Sequence, residues 1–237
     1  FDDILEKYTK LKEEFQNIEK ENSMTNNKIS IFFSCDDNYI PFLAVSLSSL
    51  IDNANKNYSY NIYVLHANSI TKQNQEKILT EYSSNIFNIE FVDITSKVES
   101  FSTKLHTRDY YSKSTYYRLF IPNLYPNLDK ALYLDSDIVV LGDISKLFNT
   151  DLGNNYVGAI PDHAVSKVPE FISYVKNRIG VKSEKEYFNA GILLMNLKKL
   201  REINFEDLFI TLLSKITFNV AQDQDYLNSI CKGNVTF

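Results

Sequence analysis

The run Ala131-Leu-Tyr-Leu-Asp-Ser-Asp-Ile-Val-Val140 is apolar, breaks on two carboxylates and turns apolar again. A short apolar run of this kind is what a strand buried on both faces needs. In extended backbone the side chains alternate, so Asp135 and Asp137 share one face and Ser136 takes the other. Two like charges side by side raise a carboxyl pKa unless a cation lies between them. A divalent metal meets that need, and hard oxygen ligands suit Mg²⁺ or Mn²⁺, ions that also neutralise phosphate oxygens. The alternative is that Asp135 and Ser136 only cap the next turn.

The segments around this run alternate between two periodicities. Lys28 to Ser34, Tyr60 to His66 and Asn88 to Asp93 read as strands. The helical pattern of Leu43, Leu47, Leu50 and Ile51 follows the first of them, and that of Thr71 to Tyr82 follows the second. Strand, polar loop and helix in repetition predict an α/β fold with a largely parallel, doubly wound sheet that binds ligands beyond the carboxyl ends of its strands. The first loop, Cys35-Asp-Asp-Asn38, lacks a Gly-x-Gly-x-x-Gly fingerprint, which disfavours a dinucleotide. Asp36, Asp37 and Asn38 are left either to hydrogen-bond a base or ribose or to cap a turn.

Residues 96–113 lose periodicity and read as a loop containing His106. Ser114 to Phe120 reads as a helix stopped by Pro122, with Arg118 its only cation, facing a carboxylate or a phosphate. Val139 and Val140 extend the strand, Asp143 opens a short helix, and Tyr156 to Ile160 is a further strand followed by Asp162 and His163. A peripheral helix with loops fills 164–185. Phe188 to Asn196 carries small residues into a buried strand, where Gly191 permits close approach to its backbone. Phe205 to Ile216 is a helix with Leu208, Leu212 and Ile216 on one face, and Gln222-Asp-Gln-Asp225 leads into the last apolar positions.

The net charge is −5, and the basic residues are dispersed, so no nucleic-acid partner is expected. Two cysteines, Cys35 and Cys231, make neither a disulfide framework nor a zinc signature, which points to a cytoplasmic setting. No apolar run reaches the roughly 18 residues of a membrane helix, and the first residues are too charged for a signal peptide. Peripheral contact with the inner face of a membrane stays open. Ile4, Tyr8, Leu11, Phe15 and Ile18 recur at spacings of four and three, so residues 1–23 are expected to form a helix that docks on its own domain or on a second copy. The main domain is expected over 24–237.

Asp36-Asp-Asn-Tyr39, Thr115-Tyr-Tyr-Arg118, Leu132-Tyr-Leu-Asp-Ser-Asp137, Phe188-Asn-Ala-Gly191 and Gln222-Asp-Gln-Asp225, in that order, resemble glycosyltransferase family 8. The likeness runs from about Lys28 onward. It is nearest the bacterial lipopolysaccharide galactosyltransferases, which carry a run similar to Asp151-Leu-Gly153. It implies a Rossmann-like GT-A nucleotide-sugar fold and retaining transfer of galactose or glucose from a UDP-sugar to a glycan or lipid-linked acceptor, aided by Mn²⁺ or Mg²⁺. By resemblance, Asp36 and Asn38 contact the uridine, Asp135 and Asp137 hold the metal, and Ser136 lies against the donor. Arg118, Asn189, Asp223 and Gln224 surround the donor sugar with Asp162 beside them. Asp223 is the candidate nucleophile in a double-displacement route, and Gln224 shields the anomeric centre in a front-face route, which is the favoured one.

One departure stands out. The family's His-x-x-Gly-x-x-Lys-Pro-Trp motif, a source of the third metal ligand, has no counterpart before Phe237. A UDP-sugar-binding module without turnover and a sugar nucleotidyltransferase are the competing readings, the second weakened by the missing glycine-rich loop.

Overall fold

The computed structural model describes residues 27–101, 113–218 and 220–237, together with Lys10 and Lys12, which are helical and exposed. The expected helix over 1–23 otherwise lies outside the described residues, as does His106.

Seven strands form one sheet: β1 (Lys28–Ser34), β2 (Ser59–His66), β3 (Phe87–Asp93), β4 (Lys130–Leu134), β5 (Val157–Gly158), β6 (Ile192–Asn196) and β7 (Val235–Thr236). Their order is β3-β2-β1-β4-β6-β5-β7. The first four are parallel, β6 runs antiparallel to β4 and to β5, and β5 pairs parallel with β7. The expected α/β sheet is therefore parallel over its first half and mixed over its second.

Period-two side-chain alternation sends neighbouring residues to opposite faces. Ile29, Ile31 and Phe33 of β1, Ile62 and Val64 of β2, and Leu132 and Leu134 of β4 pack with Leu43, Leu47 and Leu50 of the Ile40–Asp52 helix on one side. Phe32, Leu65, Ala131 and Tyr133 pack on the other with Phe205, Phe209, Tyr226 and Leu227. Each central strand thus belongs to two cores.

Several segments differ from the sequence expectation. Strand β4 ends at Leu134, so Asp135 and Asp137 lie on the turn after the strand, and Val139 and Val140 continue as a loop. That loop is held from the Ile40–Asp52 helix: the Ser46 hydroxyl donates to the carbonyls of Ser136 and Ile138, Ser49 Oγ accepts from Val140 N, and Asn53 donates to Val140 O. Four side-chain bonds replace the strand ladder that Val139 and Val140 would have made. Lys113–Phe120 is a 3₁₀ helix, and Pro122 opens the next turn, Ile121–Leu124, instead of ending the segment. A short helix, Thr95–Glu99, begins the stretch expected to be loop.

The strand expected over Tyr156 to Ile160 shortens to Val157–Gly158, and Asn189 to Gly191 precede β6 instead of lying in it. Residues 165–179 break into 3₁₀, α and π turns ended by Gly180 at φ +87°. In the Phe205–Lys215 helix the buried apolar face is Phe205, Phe209 and Leu213, whereas Leu208 is 43% exposed. The larger aromatic rings claim the centre of the core and leave Leu208 at the surface, while Leu212 and Ile216 of the expected stripe pack partly buried at its margin.

Candidate active site

Antiparallel β6 starts where β4 stops, Ile192 lying opposite Leu134, so the loop entering β6 meets the turn leaving β4 at one sheet edge. The amide of Asp135 donates to Gly191 O at 2.7 Å. A Cβ at position 191 would stand 2.5 Å from Asp135 Oδ2 and 3.1 Å from Asn189 Oδ1, so only glycine admits the carboxylate here. Asn189 Oδ1 in turn accepts from Gly191 N at 2.9 Å. The close approach anticipated at Gly191 is that of Asp135.

Arg118 organises the rest. Its guanidinium is 4% exposed and lies over the Tyr133 ring at 4.4 Å. Nη1 reaches Asp135 Oδ1 at 3.2 Å and donates to Ala190 O, and Nε lies 2.9 Å from Asp223 Oδ2. The Nε hydrogen is directed at Thr115 O, 2.8 Å away, so Asp223 Oδ2 receives charge but no directed hydrogen bond. Burial pulls the guanidinium pKa down; Asp223, Tyr133 and Asp135 more than reverse it, and Arg118 stays charged. Burial pushes the Asp223 carboxyl up to about 6 against the opposing pull of Arg118.

Gln224 is fixed at both ends of its amide. Oε1 accepts from Ala190 N at 2.9 Å, and Nε2 donates to Asp162 Oδ2 at 2.9 Å. The backbone of Ala190 therefore holds Arg118 through its carbonyl and Gln224 through its amide, tying the two side chains to one residue. Arg118, Asp135, Asp223, Gln224, Asp162 and Asn189, six of the sequence candidates, are linked by direct bonds or through residues 190 and 191.

The remaining candidates sit alongside. Ser136 is 5% exposed, and its hydroxyl donates to Ser34 O at the end of neighbouring β1. Asp36 Oδ1 accepts from the amides of Asn38 and Tyr39 at 3.0 and 3.2 Å, which realises the turn-cap alternative for this carboxylate. Asp37 Oδ1 is taken by Thr71 and Asn74, tying the loop to the Lys72–Tyr82 helix. Asn38 and Asp137 are exposed.

Two polar side chains meet the Asp135 carboxylate on Oδ1: Arg118 at 3.2 Å and the Tyr133 hydroxyl, which donates at 3.1 Å. Oδ2 faces Gly191, and Asp137, two residues on, is an exposed carboxylate; both are hard oxygen donors of the kind that Mg²⁺ or Mn²⁺ takes. Among the described residues no group of three or more His, Cys, Asp or Glu is arranged to hold a metal.

Sequence reasoning missed Tyr133, whose hydroxyl and ring serve Asp135 and Arg118. Its position two residues before Asp135 was the available signal, since same-face neighbours along a strand are two apart. The backbone of Ala190 carries no side-chain signal at all.

A family model described as "Glycosyl transferase family 8" matches residues 30–237. The chain belongs to this family. A Haemophilus influenzae protein named as a glycosyltransferase is 36% identical over 211 residues, which are 88% of this chain and 61% of that protein. The lipopolysaccharide 1,2-glucosyltransferase of Escherichia coli is 28% identical over 227 residues, 91% of this chain and 62% of its own length. The chain thus spans about three fifths of these two relatives. The galactosyltransferase LgtC, solved with donor and acceptor sugar analogues, superposes with a TM-score of 0.75 at 32% identity over 88% of this chain and 72% of that one. The bifunctional glycosyltransferase WbbM gives 0.78 at 30%, over 89% and 38%. The fold is GT-A. No helix among the described residues is long and apolar enough to cross a membrane.

Proposed function

We propose that the chain carries the catalytic domain of a retaining hexosyltransferase that moves galactose or glucose from a UDP-sugar to a glycan or lipid-linked acceptor. The observation that carries this reading is the buried Arg118 held between Asp135 and Asp223 beside the Gly191 backbone. A fixed cation, two carboxylates and an oriented amide form a preorganised polar cluster at the carboxyl end of β4, the arrangement that stabilises charge developing on a sugar and its leaving diphosphate. Family membership and the likeness to a galactosyltransferase and a glucosyltransferase support the hexose.

In this reading Asp36 and Asn38 approach the uridine with backbone and side chain, and Ser136 fixes the turn that presents Asp135 and Asp137. Those two carboxylates hold Mn²⁺ or Mg²⁺. When bound, the metal supplies Lewis-acid neutralisation of the diphosphate. Arg118 and Asn189 orient the sugar, and the Asp162-bound amide of Gln224 lies against its reacting face. An acceptor hydroxyl forms the new bond on the face from which UDP leaves, and its proton goes to the departing phosphate oxygen. The Arg118-paired position of Asp223 favours this route over attack by Asp223 itself, because an ion-paired carboxylate is a poor nucleophile. Residues 24–237 carry the transferase domain, acting in the cytoplasm at a membrane face.

Titration calorimetry with UDP, with and without Mn²⁺, and donor hydrolysis with UDP-galactose and UDP-glucose test the assignment. Wild type is expected to bind UDP in a metal-dependent way and to hydrolyse one donor. Asp135→Asn and Asp137→Asn are expected to lose the metal-dependent part while remaining folded. Full metal-dependent affinity in both variants, or an inverted product anomer, would overturn it.

A further inference from the structure

The Asp223–Cys231 helix is entered through Gln222, a non-glycine residue at φ +48° and ψ −115°. Backbone in this region is strained for a residue with a side chain and persists only where its surroundings hold it. What holds it is Asp225, two residues past the first helical position. Its amide donates to Gln222 O at 3.1 Å, and its Oδ2 accepts from Ala221 N at 3.0 Å, so one residue clamps the chain on both sides of the strained position. Asp225 is fully buried, and two phenols complete its bonding: Tyr187 OH donates to Oδ1 at 2.6 Å and Tyr174 OH to Oδ2 at 2.9 Å.

Tyr187 does more than cover Asp225. Its own carbonyl accepts from Asp162 N at 2.8 Å, and Asp162 Oδ2 accepts from the Gln224 amide at 2.9 Å. A closed ring results, running from Tyr187 to Asp162, to Gln224, along one turn of helix to Asp225, and back to Tyr187. Asn228, one turn further on, donates to Phe188 O and accepts from Phe188 N at 2.9 and 2.8 Å, locking the same two segments a second time.

We propose that Tyr187, assisted by Tyr174, is a positioning residue for sugar transfer: through Asp225 it fixes the helix entry and so the placement of the Gln224 amide. The inference rests on the donor-site reading above and deepens it. Tyr187 touches neither substrate nor metal in this account. Its hydroxyl sets where Gln224 and Asp223 stand, and small displacements of groups at a reacting centre cost rate more than affinity. Burial pushes the Tyr187 phenol well up, so the hydroxyl remains a donor over the working pH range.

The test compares two hydroxyl deletions in the same region. Tyr187→Phe opens the ring. Tyr226→Phe removes a buried hydroxyl from the same helix, one that donates to Ile216 O at 2.8 Å and lies outside the ring. Both variants are expected to remain folded, Tyr187→Phe with the larger loss of thermal stability because its hydroxyl meets a buried carboxylate. Only Tyr187→Phe is expected to lower kcat for donor hydrolysis, by about tenfold with KM within about twofold and UDP affinity unchanged, and Tyr174→Phe by less. If wild type binds UDP without turning over, the ratio of UDP-sugar to UDP affinity replaces kcat as the readout, with the same expected contrast. Equal kcat losses in the Tyr187 and Tyr226 variants, or no loss in either, would overturn the positioning role while leaving the donor-site reading standing. Absence of UDP binding in wild type would instead overturn the donor-site reading and this inference with it.

Discussion

Asp223 carries two demands that oppose each other. Burial favours its neutral form and lifts its pKa from 3.8 to about 6, whereas Arg118, 2.9 Å away, favours the charged form. Because the folded-state value lies above the unfolded one, the folded protein holds this proton longer. The carboxyl's stabilising share is complete below about pH 4 and is lost as pH rises through about 6. Its role beside Arg118 runs the other way and needs the ionised form. Donor hydrolysis is therefore expected to fall as pH drops through about 6, while the Tm of wild type gains on that of Asp223→Asn over the same interval. Hydrolysis profiles and thermal melts of both proteins from pH 4.5 to 8 check this; a wild-type Tm that stays level with or falls against that of Asp223→Asn toward acid would show that the carboxyl is ionised throughout.

Elements owe their legibility to how much of their surface faces one kind of neighbour. Strands β1 and β4 are buried on both faces and rich in apolar residues, and β2 buries alternate residues along its first half, so all three are readable directly from sequence. The site residues were legible as types in an order, since Arg118, Asp135, Asn189, Asp223 and Gln224 stand in motifs that match a known family. Their mutual contacts were not, because those depend on β6 running antiparallel and on the backbone of residues 190 and 191. The Phe205–Lys215 helix shows a further limit. Its apolar residues spread over a wide arc that runs from Leu208 through Phe205 and Phe209 to Leu213, so its periodicity fits two faces, and only the space opposite decides between Leu208 and Phe209. Phe209 stands within 6.2 Å of three aromatic rings, those of Tyr116, Phe120 and Tyr226. Phe209→Ala is expected to cost about 3–5 kcal/mol of unfolding free energy, the loss typical of a buried ring, and Leu208→Ala about 0.5 kcal/mol, as for a surface position. Urea unfolding of the two variants decides it: equal midpoint shifts would mean that the helix packs by the leucine stripe.

At the scale of the whole molecule, the two cores are not independent, because alternate residues of the same strands feed both. Phe33 and Ile31 face the layer built on the Ile40–Asp52 helix, and Phe32 between them faces the layer built on the Phe205–Lys215 and Asp223–Cys231 helices. Losing either layer would expose one face of every central strand, so the described sheet is expected to unfold as one cooperative unit. Each layer contains one native thiol reporter. Cys35 is 1% exposed in the first, with its pKa pushed up to about 12 by burial, and Cys231 is fully buried in the second, its thiol likewise pushed up. Neither thiol is reactive while folded, since the thiolate is the nucleophile and both burial and pKa suppress it. Pulsed alkylation along a urea gradient, read by peptide mass, is expected to label both cysteines with a single shared midpoint that coincides with the loss of helical circular dichroism. Labelling of Cys231 at a lower urea concentration than Cys35 would show that the helical layer carrying Asp223 and Gln224 opens alone. The sheet and the turns that carry Asp36 and Asp135 would then stay folded while the Gln224 half of the proposed donor site came apart.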